Sequence, residues 1–148
     1  MEKIKTIDEV RLKRIRSKIP VAKICSSNDC FKYVQNFYFD DIDIYESMFL
    51  LLLNNQNLTI GWVKISQGGT RGTVVDVKLI CKYALTSLCE SVIIVHNHPS
   101  GNISPSQQDN SITSKIKEAL NVFEIKLLDH LIVTRTDYFS FADENLLV

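Results

Sequence analysis

The sequence lacks an excess of charge of either sign, because its 17 lysine and arginine residues balance 17 aspartate and glutamate residues. The molecule as a whole therefore has no electric field that would draw it to nucleic acid or to an anionic membrane. Long apolar runs are also missing, and the longest, Met48 to Leu53, is far too short to span a bilayer. Residues 1–18 contain no apolar segment of the kind that follows the charges of a secretory signal. These absences favour a cytoplasmic protein with no membrane partner.

Cysteine is scarce, and its spacing is not that of a cysteine zinc site. The four cysteines, Cys25, Cys30, Cys81 and Cys89, form no C-x-x-C pair. A chain of this length with 45% hydrophobic residues can bury a core without disulfides. We therefore expect reduced thiols, most of them packed as small apolar side chains.

Glycine is infrequent, and its one cluster does not have the spacing of a phosphate-binding loop. Gly68, Gly69 and Gly72 lie in the segment SQGGTRGT. This spacing matches neither G-x-G-x-x-G nor the Walker A sequence. The segment is therefore predicted to form a turn, which could border a substrate cleft.

The pattern that is present divides the chain into a short extension and one domain. Residues 1–25 are basic and only weakly periodic, whereas residues 26–148 alternate between predicted strands and helices. The predicted strands cover residues 41–53, 58–66, 91–98, 124–133 and part of 138–148, and the predicted helices cover residues 26–37, 76–90 and 104–120. Such an alternation predicts an α/β sandwich of two or three layers around one sheet.

Capping residues predict where the helices begin. Ser26 or Ser27 can cap the first helix, and Asp76 can cap the second. For the third helix we expect Ser104 as the N-cap, because Pro105 would then occupy the first helical position, where proline is favoured.

The segment VIIVHNHPSGNISPSQQD, from Val92 to Asp109, is the most informative part of the sequence. Residues two apart on a strand point to the same face, so His96 and His98 project together while Asn97 faces away. The polar loop lets the chain turn back, and Asp109 lies one turn inside the next helix. Two imidazoles and a carboxylate suit Zn²⁺ and leave a fourth coordination position for water. Two hydrogen-bonded histidines without a metal are the alternative, and the spacing alone leaves both interpretations open.

The same letters resemble a known motif. HNHPSGNISPSQQD is similar to the JAMM (MPN+) zinc-hydrolase motif, in which H-x-H-P is followed by a loop and S-x-x-D. Over about residues 28–148, which end in DYFSFADENLLV, the sequence resembles the RadC family of bacterial JAB-domain proteins. This resemblance implies a cytidine deaminase-like α/β/α sandwich around a mixed sheet. It also implies that His96, His98 and Asp109 hold Zn²⁺.

The resemblance further implies a glutamate upstream that moves the proton of a zinc-activated water. The acidic candidates are Asp40, Asp41, Asp43 and Glu46. Glu46 alternates in phase with Met48 and precedes the apolar strand, where the family places its acid, whereas Asp43 has the opposite phase. We expect Glu46 to act first as general base and then as general acid. The alternative is a solvated acid at the start of a strand.

Ser106 matches the serine of S-x-x-D, which in the family donates a hydrogen bond to the developing oxyanion. Its alternative role is that of a second N-cap hydroxyl, and the two roles are compatible. Ser100, within PSG, is predicted to serve the turn instead.

Asp129 and His130 interrupt a second buried apolar segment, LLDHLIV. Three interpretations remain open for this pair. It could supply further metal ligands, it could orient a histidine ligand, or it could form a satisfied hydrogen bond in the core.

Two functions compete at the level of sequence. The first is a zinc-dependent hydrolase of amide bonds, which the resemblance makes a metallopeptidase or isopeptidase with a peptide or isopeptide substrate. The second is a DNA-associated accessory module, suggested by the family's link to DNA repair and by five cations between Arg11 and Lys18. Longer members carry a helix-hairpin-helix region that is not found here, which weakens the DNA interpretation. A metal-bound scaffold without turnover is a third possibility.

Overall fold

The computed structural model describes residues 7–11, 13–38, 41–69 and 74–147. Its helices are α1 (Ser27–Val34), which continues into a 3₁₀ turn (Gln35–Phe37), α2 (Val77–Ser87) and α3 (Gln107–Asn121). Its strands are β1 (Ser47–Leu53), β2 (Thr59–Gln67), β3 (Ser91–Asn97), β4 (Lys126–Val133) and β5 (Tyr138–Ser140). The strands form one sheet in the order β2-β1-β3-β4-β5, in which only β3 and β4 are parallel neighbours.

Helices cover both faces of this sheet, which explains why its central strands are apolar throughout. Leu50 of β1 packs with Ile80 and Ile116 of α2 and α3 on one face. Leu51 packs with Val34 of α1 on the other. Strands buried on both faces need no polar alternation. The mixed sheet between helical layers confirms the predicted α/β class, and the layers agree with a JAB/MPN domain.

Strand β1 begins at Ser47 and not at residue 41 as predicted. Residues 41–44 form a turn, because the side chain of Asn97 holds the chain there. Asn97 Nδ2 donates to the carbonyl oxygens of Ile42 and Tyr45 at 2.6 and 2.7 Å, and its Oδ1 accepts from the backbone N of Ser47 at 2.8 Å. The side-chain amide of Asn97 on β3 thus takes the place of backbone pairing for the segment that leads into β1.

Helix α3 begins at Gln107 with Ser106 as its N-cap, so the prediction of Ser104 was wrong. Ser106 and Asp109 form a reciprocal capping box, which satisfies two backbone N–H groups. Gln107, three residues after Ser104, is instead the first residue of the helix. The caps of α1 and α2, Ser26 and Asp76, are those the sequence predicted.

The segment before α1 runs along the hairpin of β1 and β2. Ala22 and Thr59 exchange hydrogen bonds of 2.9 Å, and Lys23 forms an isolated antiparallel bridge with Leu58. Ile24 is buried in the core beside α1. The last part of the predicted extension is therefore packed on the domain.

The cysteines follow the expectation of free thiols, but only two of the four are buried. All four cysteines are free, and Cys30 and Cys89 are buried, although Cys25 is exposed. Within the part of the chain that the structure describes, no helix has both the length and the apolar character needed to cross a bilayer.

Candidate metal centre

Strand β3 carries the first histidine into the core and the second to its edge. His96 is fully buried, and its backbone is opposite Met48 of β1 and Ile132 of β4. His98 follows the strand, and its backbone N still donates to Val133 O at 3.2 Å. As predicted for residues two apart, the rings share one face, with their Nε2 atoms 2.9 Å apart.

The loop after β3 fixes the ring of His98. Its Nδ1 lies 2.6 Å from the carbonyl oxygen of Asn102. A carbonyl only accepts, so Nδ1 is the protonated nitrogen and, in the neutral ring, Nε2 keeps its lone pair. The turn that brings Asn102 back passes through Gly101, whose φ of +82° is a conformation that favours glycine.

The capping box of α3 fixes the carboxylate. Asp109 Oδ2 accepts from both the backbone N and the Oγ of Ser106, each at 2.7 Å. Asp109 Oδ1 lies 3.2 Å from His96 Nε2, and Oδ2 lies 3.5 Å from His98 Nε2. The capping geometry thus turns the other carboxylate oxygen, Oδ1, toward the imidazoles.

The donor set of this cluster fits a metal ion. The nearest ligand atoms of His96, His98 and Asp109 all lie within 4.8 Å of one another. Tetrahedral zinc with bonds of about 2.0–2.1 Å places its ligand atoms about 3.3 Å apart. The Nε2 atoms are 2.9 Å apart, Asp109 Oδ1 is 3.2 Å from His96 Nε2, and the other carboxylate oxygen, Oδ2, is 3.5 Å from His98 Nε2, so the contacts lie on both sides of that value. These residues could therefore hold a metal ion.

The titration of the cluster reflects the same convergence. Burial alone would raise the pKa of the Asp109 carboxyl, but the adjacent imidazoles of His96 and His98 lower it far below its usual range. The hydrogen bond with Asp109 raises the pKa of His98 against the opposing effect of burial. In the metal-free protein, a positive charge on His98 is thus favoured, as expected for an imidazole beside a carboxylate.

A cleft of about 420 Å³ opens beside the cluster, and Glu46 lies on its wall with His98, Ser106 and Asp109. Glu46 directly precedes β1, and its carbonyl oxygen accepts from Gly68 N at 2.8 Å. Asp43, in contrast, forms an ion pair with Arg135 at 2.6 Å. Of the acidic candidates that the structure describes, Glu46 is the one that lines the cleft, while Asp40 lies outside the described residues.

The comparisons with known proteins agree with the geometry. A model of the RadC-like JAB domain matches residues 24–146. The chain belongs to the RadC-like JAB domain family. A UPF0758 protein of Flavobacterium johnsoniae is 42% identical over 136 residues, which cover 92% of this chain and 58% of that protein.

Two further relatives show the same partial coverage. A UPF0758 protein of Porphyromonas gingivalis is 43% identical over 103 residues, or 69% of this chain and 45% of that protein. One from Chlorobaculum parvum is 37% identical over 125 residues, or 84% of this chain and 55% of that protein. The chain thus spans about half the length of the curated relatives it matches, and their names describe no activity. The predicted RadC resemblance is confirmed at the level of the family.

In this RadC-like domain Ser106 has the capping role that sequence reasoning gave as its alternative. Its Oγ accepts from Asp109 N at 3.1 Å while donating to Asp109 Oδ2. The hydroxyl also lines the cleft, so the expected contact with an oxyanion remains a prediction.

Asp129 and His130 of the RadC-like domain have different hydrogen-bond partners and different roles. Asp129 accepts from Ser140 Oγ at 2.6 Å and from Ala142 N at 2.9 Å, which makes it a satisfied core acceptor. His130 lies beside the candidate metal ligands, with its Nε2 2.7 Å from His96 Nδ1. Its own Nδ1 lies 2.6 Å from Thr113 Oγ1. Thr113 was missed at the level of sequence, where its position four residues after Asp109 was the only available signal.

Proposed function

We propose that this RadC-like domain is a zinc-dependent hydrolase of amide bonds, acting as a metallopeptidase or isopeptidase. The observation that carries the proposal is the convergence of two imidazoles and a carboxylate at the wall of a cleft that Glu46 shares. Three protein ligands with an open fourth position characterise catalytic zinc, whereas structural zinc is enclosed by four.

His96 Nε2, His98 Nε2 and Asp109 Oδ1 would hold the ion. When bound, zinc would lower the pKa of a coordinated water to about 7 and polarise a carbonyl oxygen. Both histidines present a nitrogen to the same position, and Ser106 fixes the carboxylate through its backbone and its hydroxyl. The ligand atoms are thus held in place before any ion binds.

Glu46 would move the proton. Its carboxylate would accept a proton from the attacking water as the new C–O bond forms, and would deliver it to the amine nitrogen as the C–N bond breaks. The hydrogen bond from Gly68 N holds the Glu46 backbone, and its side chain is half-buried and forms no ion pair with the residues that the structure describes, whereas Asp43 does. A carboxylate in such a position can alternate between base and acid within one reaction cycle.

Ser106 would stabilise the oxyanion of the tetrahedral intermediate. Its hydroxyl donates a hydrogen bond to Asp109 Oδ2 in this structure, and the backbone N of Ser106 donates to the same oxygen. The hydroxyl can therefore rotate toward a substrate carbonyl while Asp109 keeps one hydrogen bond that fixes it. Donors fixed near a developing oxyanion contribute about 3–4 kcal/mol to such reactions.

The test joins metal analysis to a chelator-sensitive assay on peptide and isopeptide substrates. Purified protein should contain stoichiometric zinc, and cleavage should be lost in E46Q while zinc is retained. D43N is the matched control, since Asp43 is an acid of the same segment that is paired away from the cleft. Zinc far below stoichiometry, or an E46Q variant as active as D43N, would overturn the proposal.

The DNA-associated alternative draws less support from the described residues. Arg11 pairs with Glu9 at 2.8 Å, and Arg14 donates to the carbonyl oxygen of Ser87 at 2.6 Å. Lys13 and Arg16 are exposed cations of the same segment. If the segment contacts phosphate, neutralising all four should abolish salt-dependent retention of a DNA probe. DNA retention that is unchanged when these residues are neutralised would count against the DNA-associated alternative.

A further inference from the structure

Three hydrogen bonds connect the backbone of α3 to the ring of His96 inside the core. Thr113 Oγ1 lies 2.6 Å from the carbonyl oxygen of Asp109 and 2.6 Å from His130 Nδ1. His130 Nε2 lies 2.7 Å from His96 Nδ1. Thr113 is 2% exposed, and both histidines are fully buried, so bulk water does not reach these groups.

The direction of these hydrogen bonds follows from counting protons. A threonine hydroxyl has one proton, and the carbonyl oxygen of Asp109 can only accept, so that proton lies between Thr113 and Asp109. Thr113 Oγ1 must then accept from His130, which places a proton on His130 Nδ1. Thr113 thereby determines the tautomer of His130.

Counting protons in the same way gives the tautomer of His96. A second proton on His130 would place a charge in a fully buried position where its two ring contacts are a hydroxyl and another imidazole, which is unfavourable. In the neutral ring Nε2 is unprotonated and accepts from His96 Nδ1–H. His96 then carries no proton on Nε2, the atom that faces His98 and Asp109.

We infer that Thr113 and His130 are positioning residues that select the Nδ1–H tautomer of His96 and keep its Nε2 lone pair directed at the metal. This inference rests on the proposed metal centre and extends it to two residues that lie outside the ligand set. Phe141 stacks on His130 with ring centroids 4.7 Å apart and an interplanar angle of 11°, which restricts rotation of the imidazole.

The two ligand histidines therefore obtain the same tautomer by different means. His98 donates to a backbone carbonyl, which can only accept, so nothing further is needed. His96 donates to an imidazole, which could either donate or accept, so Thr113 is required to decide. An imidazole also orients its partner without adding the negative charge that a carboxylate would bring to the centre.

The direct test is nitrogen NMR of the histidine side chains in metal-free protein. The sequence contains only three histidines, so single substitutions suffice to assign their signals. His130 and His96 should both show the pattern of a proton on Nδ1. A proton on His130 Nε2 would overturn the inference. This result does not depend on zinc binding, so it separates failure of the inference from failure of the proposed function.

Variants test the consequence for the metal. T113V keeps the side-chain shape but cannot direct the proton, and should weaken zinc binding by about 10–100-fold, as loss of such partners does in other sites. T113S keeps the hydroxyl and should restore binding. Zinc affinity is measured by competition with a coloured chelator, and metal-free thermal unfolding shows whether each variant is folded.

The matched control is T86V. Thr86 Oγ1 donates to the carbonyl oxygen of Lys82 at 2.7 Å, the same bond to the residue four positions earlier that Thr113 makes, but on the exposed side of α2. Removing it should leave both zinc affinity and the histidine tautomers unchanged. Zinc binding by T113V that equals binding by T86V would contradict the inference, and an unfolded T113V would leave the wild-type spectrum as the deciding result.

Discussion

The two histidines of the proposed centre belong to different surroundings. We call His96 with Thr113 and His130 the buried half, and His98 with Glu46 and Ser106 the open half. The buried half is closed by the core, whereas the residues of the open half line the cleft. The difference indicates a division of labour. The core fixes where an ion binds, and the residues around the cleft carry the protons and contact the substrate.

The largest effect that separates the two halves is expected from H96A and H98A. Both should abolish zinc binding, because each removes a ligand. Only H96A also removes the partner of a buried imidazole, and an unpaired buried polar group costs about 1–3 kcal/mol. H98A should destabilise less, since its side chain reaches solvent. Urea unfolding in the presence of a chelator measures this difference, and equal losses of stability would contradict the division.

The next largest effect concerns the proton carrier of the open half. E46Q should lower turnover by about 10²–10⁴-fold, the range that general acid–base groups contribute. Zinc content and metal-free stability should stay near those of D43N, because Glu46 is half-buried on the wall of the cleft and does not belong to the ligand set. Steady-state kinetics with metal analysis of the same samples provides the measurement. Loss of zinc together with activity would place Glu46 among the binding residues instead.

Ser106 allows its capping and catalytic roles to be separated. S106A should lower the free energy of unfolding by about 0.5–2 kcal/mol, whereas S106G should cost only a few tenths, because glycine is tolerated at an N-cap. Both variants lack the hydroxyl, so both should lose about 10²–10³-fold in turnover if it contacts the oxyanion. Turnover that falls in S106A but survives in S106G would assign the serine to capping alone.

Local patterns in the sequence predicted the open half better than the buried half. The spacing of His96 and His98 on one strand, followed by Asp109 at a helix start, left a metal site and a metal-free pair of histidines open, and the resemblance to the JAMM motif then implied the candidate ligand set. His130 remained open because its contact with His96 depends on how β3 and β4 align, and residues 91–97 and 126–133 are brought side by side only by the fold. Thr113 looked like an ordinary residue within an amphipathic helix.

The errors at element boundaries have the same origin. The strand predicted from residue 41 begins at Ser47, because the side chain of Asn97, about fifty positions later, holds the chain in a turn. The cap predicted at Ser104 lies at Ser106, because the carboxylate of Asp109 completes the capping box there. In both cases a side-chain partner outweighs a local preference that was otherwise satisfied.

The smallest effect, and the one that compares the halves most directly, is the pH dependence of metal-free stability. Burial, assisted by the neighbouring His96, lowers the pKa of His130 well below its ordinary 6.5, while the hydrogen bond with Asp109 raises the pKa of His98 above 6.5. As pH falls below 6.5, the unfolded chain takes up a proton that buried His130 cannot, so stability falls.

As pH rises above 6.5 and passes through the raised pKa of His98, the folded protein loses a proton that it held more tightly than the unfolded chain. The contribution of His98 to the free energy of unfolding is then lost. Asp109, with its lowered pKa, adds a loss only below its unfolded value of 3.8, outside this range. Urea unfolding with a chelator should therefore show a maximum near pH 6.5. H98N should remove the alkaline slope and H130Q the acidic one, and a profile that either variant leaves unchanged would contradict the assignment of that slope.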